Sequence, residues 1–279
     1  MKILDHQAVL SFLPDRKADS HKGDYGRILL LCGSRGYTGA AALAAMGALR
    51  SGAGLVHLGV PESIYAIEAV KLNEPIVFPL PDADGKLSAE AIAEILQRLP
   101  QMDAVLIGCG LGQSEGTLAV TKAVLENAHC PVVLDADGIN LLTAHKDILR
   151  ERLAPTVLTP HTGEFARWGY SGENRLTEAI SFAKTYGCIL LLKGHETLIT
   201  DGSICYQNPT GNPGMATGGS GDVLAGIIVS LIGQGIDPLI AAACGAYLHG
   251  RAGDICAKEI GQYGMLPSDI LEVLPRLMK

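Results

Sequence analysis

Continuous apolar runs, each followed by a polar or glycine-rich loop, recur along most of the chain. Such runs are typical of strands that are buried on both faces of a sheet. Six strands of this kind are predicted at residues 28–32, 55–60, 103–107, 131–134, 156–158 and 188–192. Two shorter strands, at about residues 197–200 and 203–207, are separated by Asp201 and Gly202, which favour a hairpin turn.

Helical segments lie between these strands and fill the C-terminal part of the chain. They are predicted at residues 39–51, 88–99, 114–127 and 173–186, and from Asp222 to the end of the sequence. Ser88 is in a position to cap the second of them. Because strand, loop and helix alternate, we expect an α/β fold of three layers, with a mainly parallel central sheet and helices on both faces.

Composition narrows the class of protein. The chain has 279 residues, of which 48% are hydrophobic and 18% charged, so it is not a disordered chain. No linker or low-complexity segment interrupts it, and residues 1–279 are therefore expected to form a single domain. The formal net charge of −7 argues against a nucleic-acid partner. No apolar stretch approaches about 18 residues, so no membrane-spanning helix is expected.

The seven cysteines are odd in number, and no two are spaced as C-x-x-C. Most lie inside apolar runs, which is typical of buried, reduced thiols in a cytoplasmic protein. The first six residues contain no apolar core of a signal peptide. We therefore expect a cytoplasmic protein with no membrane partner.

The most informative segment is the glycine-rich stretch at residues 212–226. Gly218, Gly219 and Gly221 stand at the start of an apolar helix, where backbone N–H groups and the helix dipole together form an anion site. Asp222 follows in the first helical turn, where a carboxylate can accept a proton from a hydroxyl that attacks a phosphoryl group. The structural alternative is a glycine-rich turn with Asp222 as an ordinary first-turn residue. The sequence has neither a P-loop motif nor a G-x-G-x-x-G motif.

Residues 218–222 are similar to the G-A-G-D anion-hole motif of ribokinase-like kinases. Further motifs lie, in order, at residues 37–41, 108–112, 134–138, 159–164 and 193–197. Together with residues 218–222 they resemble the ADP/ATP-dependent NAD(P)H-hydrate dehydratase family over about residues 5–277. The sequence departs from the family pattern at Cys109 and Thr162, where proline is usual, while the flanking glycines, His161 and Glu164 remain.

The resemblance implies a reaction and a set of site residues. It implies the dehydration of hydrated NADH and NADPH, coupled to hydrolysis of ADP or ATP, with Mg²⁺ and Asp222 as the catalytic base. Contacts to the hydrated cofactor are implied for Gly39, Ala40, Ala41, Gly110, Gly112, His161 and Asp222. Contacts to the adenine nucleotide are implied for Lys193, Gly194, His195, Glu196, Thr197, Gly219, Ser220 and Gly221. Glu164 is implied as a ligand of the metal.

Several of these residues also have a purely structural interpretation. The small residues can serve tight packing between helix and sheet, and Lys193 can be a solvated lysine at a strand end. A capping box requires Ser or Thr three residues before the glutamate, so with His161 there we expect none, and Glu164 would instead compensate a helix dipole. Asp135 and Asp137 either share one face and position metal or water, or Asp137 is a helix N-cap.

Two other functions remain open. One is a small-molecule kinase of the hydroxyethylthiazole or hydroxymethylpyrimidine type, and the other is a non-catalytic nucleotide sensor. The small apolar residues at 241–247 either form a surface that packs on a neighbouring subunit or lie in a buried helix. The family resemblance favours a homotetramer.

Overall fold

A central sheet of nine strands organises the described part of the chain, which is residues 1–171 and 173–279 of a computed structural model. The strands are β1 (Arg27–Leu31), β2 (Leu55–Pro61), β3 (Ile76–Leu80), β4 (Asp82–Ala83), β5 (Lys86–Leu87), β6 (Ala104–Ile107), β7 (Val132–Leu134), β8 (Thr156–Leu158), β9 (Ile189–Leu192), β10 (Leu198–Thr200) and β11 (Cys205–Gln207). In the large sheet they are ordered β11-β10-β9-β8-β7-β6-β1-β2-β3, while β4 and β5 form a separate hairpin. All neighbouring strands from β9 through β1 to β3 pair in parallel. At the other edge, β10 pairs antiparallel with β9, and β11 pairs antiparallel with β10.

Helices cover the sheet on both sides. They are α1 (His6–Phe12), α2 (Thr38–Arg50), α3 (Glu62–Lys71), α4 (Ile92–Arg98), α5 (Glu115–Asn127), α6 (Asp137–Leu141), α7 (Ile148–Glu151), α8 (Thr162–Arg167), α9 (Arg175–Tyr186), α10 (Ser220–Gly233), α11 (Pro238–Glu259) and α12 (Pro267–Val273). The predicted three-layer, mainly parallel α/β architecture is confirmed.

Alternation along the strands divides the core into two halves. In β1, Ile28 and Leu30 face a layer formed mainly by α2, α10, α11 and α12, whereas Leu29 and Leu31 face α4, α5, α8 and α9. All four side chains are fully buried. Each such side chain contributes about 1.5–3 kcal/mol by leaving water, which explains why apolar runs without polar alternation form the central strands.

The predicted helix at residues 88–99 is correct in place but wrong in form. A 3₁₀ turn at Ala89–Ala91 leads into α4, and a second 3₁₀ turn covers Leu99–Gln101. Ser88 occupies the N-cap position, but its side chain makes no capping hydrogen bond. Pro100 in the second turn has no N–H to continue the α-helical pattern. Helices α1, α3 and α7 and strands β3, β4 and β5 were not predicted.

Close packing of α2 against α10 sets the position of the glycine-rich loop. A Cβ on Gly47 of α2 would lie 2.6 Å from the carbonyl oxygen of Val223 in α10. A Cβ on Gly226 of α10 would collide with the carbonyl oxygen of Ala44 in α2. Only glycine permits this backbone approach, and it holds the start of α10 against the middle and C-terminal half of α2.

The small apolar segment at residues 241–247 is buried within this chain. Every residue from Ala241 to Tyr247 is buried in α11, so the buried-helix alternative is correct and this segment forms no surface for a neighbouring subunit. Five of the seven cysteines are also buried and all seven are free, as predicted. Among the described residues, no helix has both the length and the hydropathy to cross a bilayer.

Candidate active site

The carboxyl ends of five neighbouring parallel strands bring the sequence motifs together. Strands β9, β8, β7, β6 and β1 are adjacent in the sheet. They are followed directly by Lys193, Thr159, Asp135, the loop that contains Cys109, and Cys32. Ligands of parallel α/β sheets bind at this edge, and α10 begins beside it.

Helix α10 begins without a cap. Gly219 stands at the N-cap position in the left-handed conformation (φ 96°), and no side chain of the described structure caps this helix end. The N–H of Ser220 donates a long hydrogen bond to the Thr217 carbonyl, with 3.4 Å between nitrogen and oxygen. The N–H of Gly221 donates no hydrogen bond within the described residues. This helix start therefore offers free N–H groups and a positive dipole to an anion, as the sequence predicts.

Asp222 lies in the first turn of α10 and is poised to exchange a proton. Burial, and after it the charge of Asp135, raise the pKa of its carboxyl to about 6, against the opposing effects of Cys109 and Lys193. One atom each of Cys109, Asp135 and Asp222 lies within 4.8 Å of the others. A base with a pKa near neutrality is effective in proton transfer, so a carboxyl of this kind is suited to the role predicted for Asp222.

Asp135 is the centre of a buried hydrogen-bond cluster. It is 2% exposed, and its Oδ1 accepts bonds from Lys193 Nζ at 2.8 Å and from the Thr159 hydroxyl at 2.7 Å. Its Oδ2 lies 3.6 Å from the Cys109 thiol, which donates to it. A hydrogen bond with Cys32 and burial raise the pKa of the Cys109 thiol, so that the thiol stays protonated.

Lys193 is directed at the site and is not a solvated strand-end lysine. Burial alone would lower its pKa, but the charges of Asp135 and Glu164 outweigh burial and raise it. If a Cβ were present on Gly221, it would lie 3.2 Å from Lys193 Nζ. The ammonium group therefore stands directly beside the open end of α10, where both would act on one anion.

Asp137 has a different role from Asp135. The expectation that both share one face is wrong, because β7 ends at Leu134 and the backbone turns at Ala136 (φ 47°). The N-cap of α6 is Ala136, so the expectation of Asp137 as N-cap is wrong by one residue. Asp137 instead accepts bonds from Gly112 N at 2.9 Å and from the Gln113 side chain at 3.0 Å. It supports the glycine loop that follows β6.

His161 and Glu164 form a capping box at the start of α8. His161 Nδ1 accepts from the N–H groups of Gly163 (2.9 Å) and Glu164 (3.2 Å), and Glu164 Oε2 accepts from the His161 N–H (2.9 Å). The expectation that no box forms here is wrong, since an imidazole nitrogen takes the place of the usual hydroxyl. Glu164 is 5% exposed, and its Oε1 lies 3.6 Å from His161 Nε2.

The loop at residues 193–197 is held in shape by two side chains. Arg175 at the start of α9 donates to the carbonyls of His195 (3.0 Å) and Leu192 (3.3 Å). The Thr197 hydroxyl donates to the Gly194 carbonyl at 2.9 Å and closes the turn. His195 and Glu196 are exposed at its tip. The sequence contains no signal that identifies Arg175 as the support of this loop.

Of the small residues predicted to face the hydrated cofactor, one is open to solvent and others pack against neighbouring residues. Gly39 is exposed, with no atom within 4 Å of the position of a Cβ. Ala40 packs on Gly110, where a Cβ would lie 2.7 Å from that of Ala40. Ala41 is fully buried beneath Gly33. Gly110 (φ 60°) therefore meets a packing requirement as well as any requirement of a ligand.

Comparison with known proteins places almost the whole chain in one family. The family model described as NAD(P)H-hydrate dehydratase matches residues 28–276. The bifunctional NAD(P)H-hydrate repair enzyme Nnr of Moorella thermoacetica is 47% identical over 96% of this chain and 52% of its own length. The ADP-dependent (S)-NAD(P)H-hydrate dehydratase of Bacillus subtilis is 38% identical over 97% of this chain and 95% of its own.

The chain belongs to the NAD(P)H-hydrate dehydratase family. It spans about half the length of the bifunctional relatives that it matches, about 52% in the first two. The crystal structure of the ADP/ATP-dependent dehydratase of B. subtilis, co-crystallised with ATP and Mg²⁺, has a TM-score of 0.85 and 33% identity and covers 98% of this chain and 96% of that one. The more distant hydroxyethylthiazole kinase of Pyrococcus horikoshii (17% identity, TM-score 0.64) shares the ribokinase-like fold alone.

Proposed function

We propose that the chain catalyses the ADP-dependent dehydration of NAD(P)H hydrate to NAD(P)H, with ATP as an alternative co-substrate. The observation that carries the proposal is Asp222, a carboxyl with a pKa of about 6 in the first turn of an uncapped helix. Membership of the dehydratase family supports this substrate over the substrates of small-molecule kinases.

The proposed reaction begins as a phosphoryl transfer. Asp222 accepts the proton of the ring hydroxyl of the hydrate, and the hydroxyl oxygen forms a bond to the terminal phosphorus of ADP while AMP leaves. The N–H groups of residues 219–221 and the Lys193 ammonium stabilise the charge that develops on the phosphoryl oxygens. The carbon–oxygen bond of the phosphorylated hydrate then breaks with the help of the ring nitrogen lone pair. Phosphate leaves as this bond breaks, and loss of a ring proton then restores the double bond.

The two ligands would occupy different sides of the α10 start. We propose that the adenine nucleotide lies along residues 193–197 and 219–221, where Lys193 and the free N–H groups converge. The hydrated cofactor would lie toward Gly39, Ala40 and the loop of Gly110 and Gly112, with His161 beside it. The exposed face of Gly39 supports this placement, because a ring can approach its backbone closely.

The residues present fit a magnesium ion. Asp135, Glu164 and Asp222 supply hard carboxylate oxygens at one edge of the sheet, and Mg²⁺ is commonly held by one or two carboxylates plus substrate phosphates. We propose Glu164 as the protein ligand, since its Oε1 is not part of the capping bonds. When bound, the ion would neutralise charge on the phosphates and help orient them.

A coupled assay tests the proposal. Acid- or heat-hydrated NADH is incubated with ADP and Mg²⁺, and both the return of the reduced-nicotinamide absorbance and the release of phosphate are followed. We expect one phosphate for each NADH recovered. A stable phosphorylated product would instead indicate a kinase, and nucleotide binding without phosphate release would indicate a sensor.

We further propose a cytoplasmic homotetramer without a nucleic-acid partner, for which the net charge of −7 is unsuited. Because residues 241–247 are buried, the contacts between subunits must use another surface. Helix α3 exposes Ile67 (48%) and Val70 (84%), which lie three positions apart on one face of the helix and suit this purpose. Light scattering is expected to give a native mass four times 29.2 kDa, and a single species of 29.2 kDa would overturn the assembly proposal.

A further inference from the structure

A buried histidine lies beneath the open end of α10. His249 of α11 is 7% exposed, and its Nε2 lies 3.3 Å from the hydroxyl oxygen of Ser220, which is 8% exposed. Ser220 is the first residue of α10 and stands between Gly219 and Gly221. The contact joins two helices across 29 positions of the sequence.

The His249 imidazole is neutral near pH 7. Burial, and after it the charge of Lys193, lower the pKa of His249 to about 4, against the opposing effect of a hydrogen bond with the Ser220 backbone. A neutral imidazole has one donor and one acceptor nitrogen, so it can pair with a hydroxyl in either direction. His249 therefore supplies a hydrogen bond without adding a second cation next to Lys193.

Packing on α2 places the body of α10, but few hydrogen bonds among the described residues hold its first turn. Gly219 adopts a left-handed conformation, and no side chain of the described residues caps the helix. Among the described residues, the Ser220 N–H donates one backbone hydrogen bond, the long one to the Thr217 carbonyl. Gly218 is exposed, with no atom within 4 Å of the position of a Cβ. The bond between Ser220 and His249 is thus a side-chain contact that fixes where this turn points, together with the hydrogen bond between Asp222 and Cys109.

We propose that His249 is a positioning residue for the anion site. Its neutral imidazole holds Ser220, and through Ser220 it holds the N–H groups of the first turn in the orientation that receives the nucleotide phosphate. The inference rests on the proposed function, because it assumes that the phosphate of ADP binds at the start of α10. It adds to the site a residue of α11 that does not itself touch the nucleotide.

The test compares the ADP affinity of three variants by calorimetry, together with kcat and KM. His249→Leu removes the hydrogen bond and keeps the volume, Ser220→Ala removes it from the other side, and the double variant removes both partners. We expect each single variant to lose about fivefold to tenfold in ADP affinity, the range that one buried hydrogen bond supports. The double variant should lose no more than either single variant, since both changes delete the same contact.

Controls separate positioning from loss of stability. His249→Gln keeps a donor and an acceptor and should recover most of the ADP affinity. Cys244→Ala, a buried change on the same helix, should lower thermal stability without changing the KM for ADP. Because the pairing acts on ground-state binding as well as on the transition state, KM should change more than kcat.

Three results would overturn the inference. The first is a folded His249→Leu variant whose ADP affinity stays within twofold of the wild type, and the second is additive losses in the double variant. If His249→Leu does not fold, the test rests on Ser220→Ala. The third result is then an ADP affinity of Ser220→Ala equal to that of the wild type. A wild-type chain that binds no ADP would overturn the proposed function itself, which distinguishes that failure from a failure of the His249 contact.

Discussion

Two helices, α8 and α10, begin at the same edge of the sheet and differ in whether side chains cap their N-termini. At α8 the His161 imidazole accepts hydrogen bonds from two backbone N–H groups, and Glu164 accepts one from a third. This helix end is therefore closed, because its own residues satisfy its N–H groups. At α10 the N-cap is Gly219, and no described side chain caps the end. The first N–H groups of a helix need partners, and at α10 the partner must come from outside the chain.

The difference separates two motifs that look alike in the sequence. Both place an acidic residue in the first turn of a helix that follows a buried strand or a glycine loop. Glu164 is held by backbone hydrogen bonds and stabilises its own helix. Asp222 has a raised pKa and faces a second carboxylate. The open end is suited to binding and proton transfer, whereas the closed end is suited to holding a loop in place.

The largest effect is expected from removing the base at the open end. Asp222→Asn keeps the size of the side chain but cannot accept the proton, and we expect kcat to fall by about 10²- to 10⁴-fold with ADP binding retained. In the wild type, kcat/KM should rise with pH through about 6, as the carboxyl loses its proton. Rates within a few-fold of the wild type in steady-state assays of Asp222→Asn would contradict the role of Asp222.

The next effect concerns the dependence of stability on pH. Between about pH 4 and pH 6 His249 is neutral in the folded protein but protonated when unfolded, so its contribution to stability rises with pH. Asp222 has the opposite sign, because the folded carboxyl keeps a proton up to about pH 6 while the unfolded one loses it above 3.8. Each shift corresponds to about 3 kcal/mol, and the two contributions largely cancel in the wild type.

Single variants should therefore expose each contribution. Relative to the wild type, the free energy of unfolding of Asp222→Asn should increase from pH 4 to pH 6 by about 3 kcal/mol. That of His249→Leu should decrease over the same interval by a similar amount. Urea unfolding at a series of pH values measures both. Parallel curves for the two variants and the wild type would show that neither shift exists.

A smaller effect is expected from obstructing the open end. Gly221→Val places a branched side chain where the backbone must approach the phosphate, next to Lys193 Nζ. Losing one charge-assisted hydrogen bond should weaken ADP binding by roughly 10- to 100-fold. Thr162→Ala, at the matching end of α8, should leave affinity unchanged. Calorimetry gives the affinities and far-UV circular dichroism checks the fold; equal ADP affinity in Gly221→Val and wild type would place the phosphate elsewhere.

The sequence predicts the strands and the open helix end better than it predicts the closed one. Buried parallel strands are apolar along most of their length, so runs such as residues 103–107 can be recognised as strands from the sequence. The glycines before Asp222 have few other uses than a close backbone approach. By contrast, the His161 cap was missed because imidazole is an uncommon capping group. His249 carries no local signal either, since only the packing of α11 on α10 brings it to Ser220.

The smallest effects decide what Glu164 does at the closed end. His161→Ala removes the acceptor of two N–H groups and should lower the free energy of unfolding by about 1 kcal/mol, as typical capping residues do. Glu164→Gln keeps an oxygen for the His161 N–H, because Gln also serves in capping boxes, and stability should change by less than about 0.5 kcal/mol.

The same glutamine variant removes the charge that Mg²⁺ would need. If Glu164 is the metal ligand, Glu164→Gln should raise the Mg²⁺ concentration for half-maximal rate by roughly 5- to 10-fold, because a neutral amide is a poorer ligand than a carboxylate for this hard cation. Titration of the rate with Mg²⁺ at saturating ADP measures the change. An unchanged Mg²⁺ requirement, combined with unchanged stability, would leave Glu164 as a capping residue alone. The closed end of α8 would then be purely structural, and the metal would have to be held by Asp135 or Asp222 at the open end.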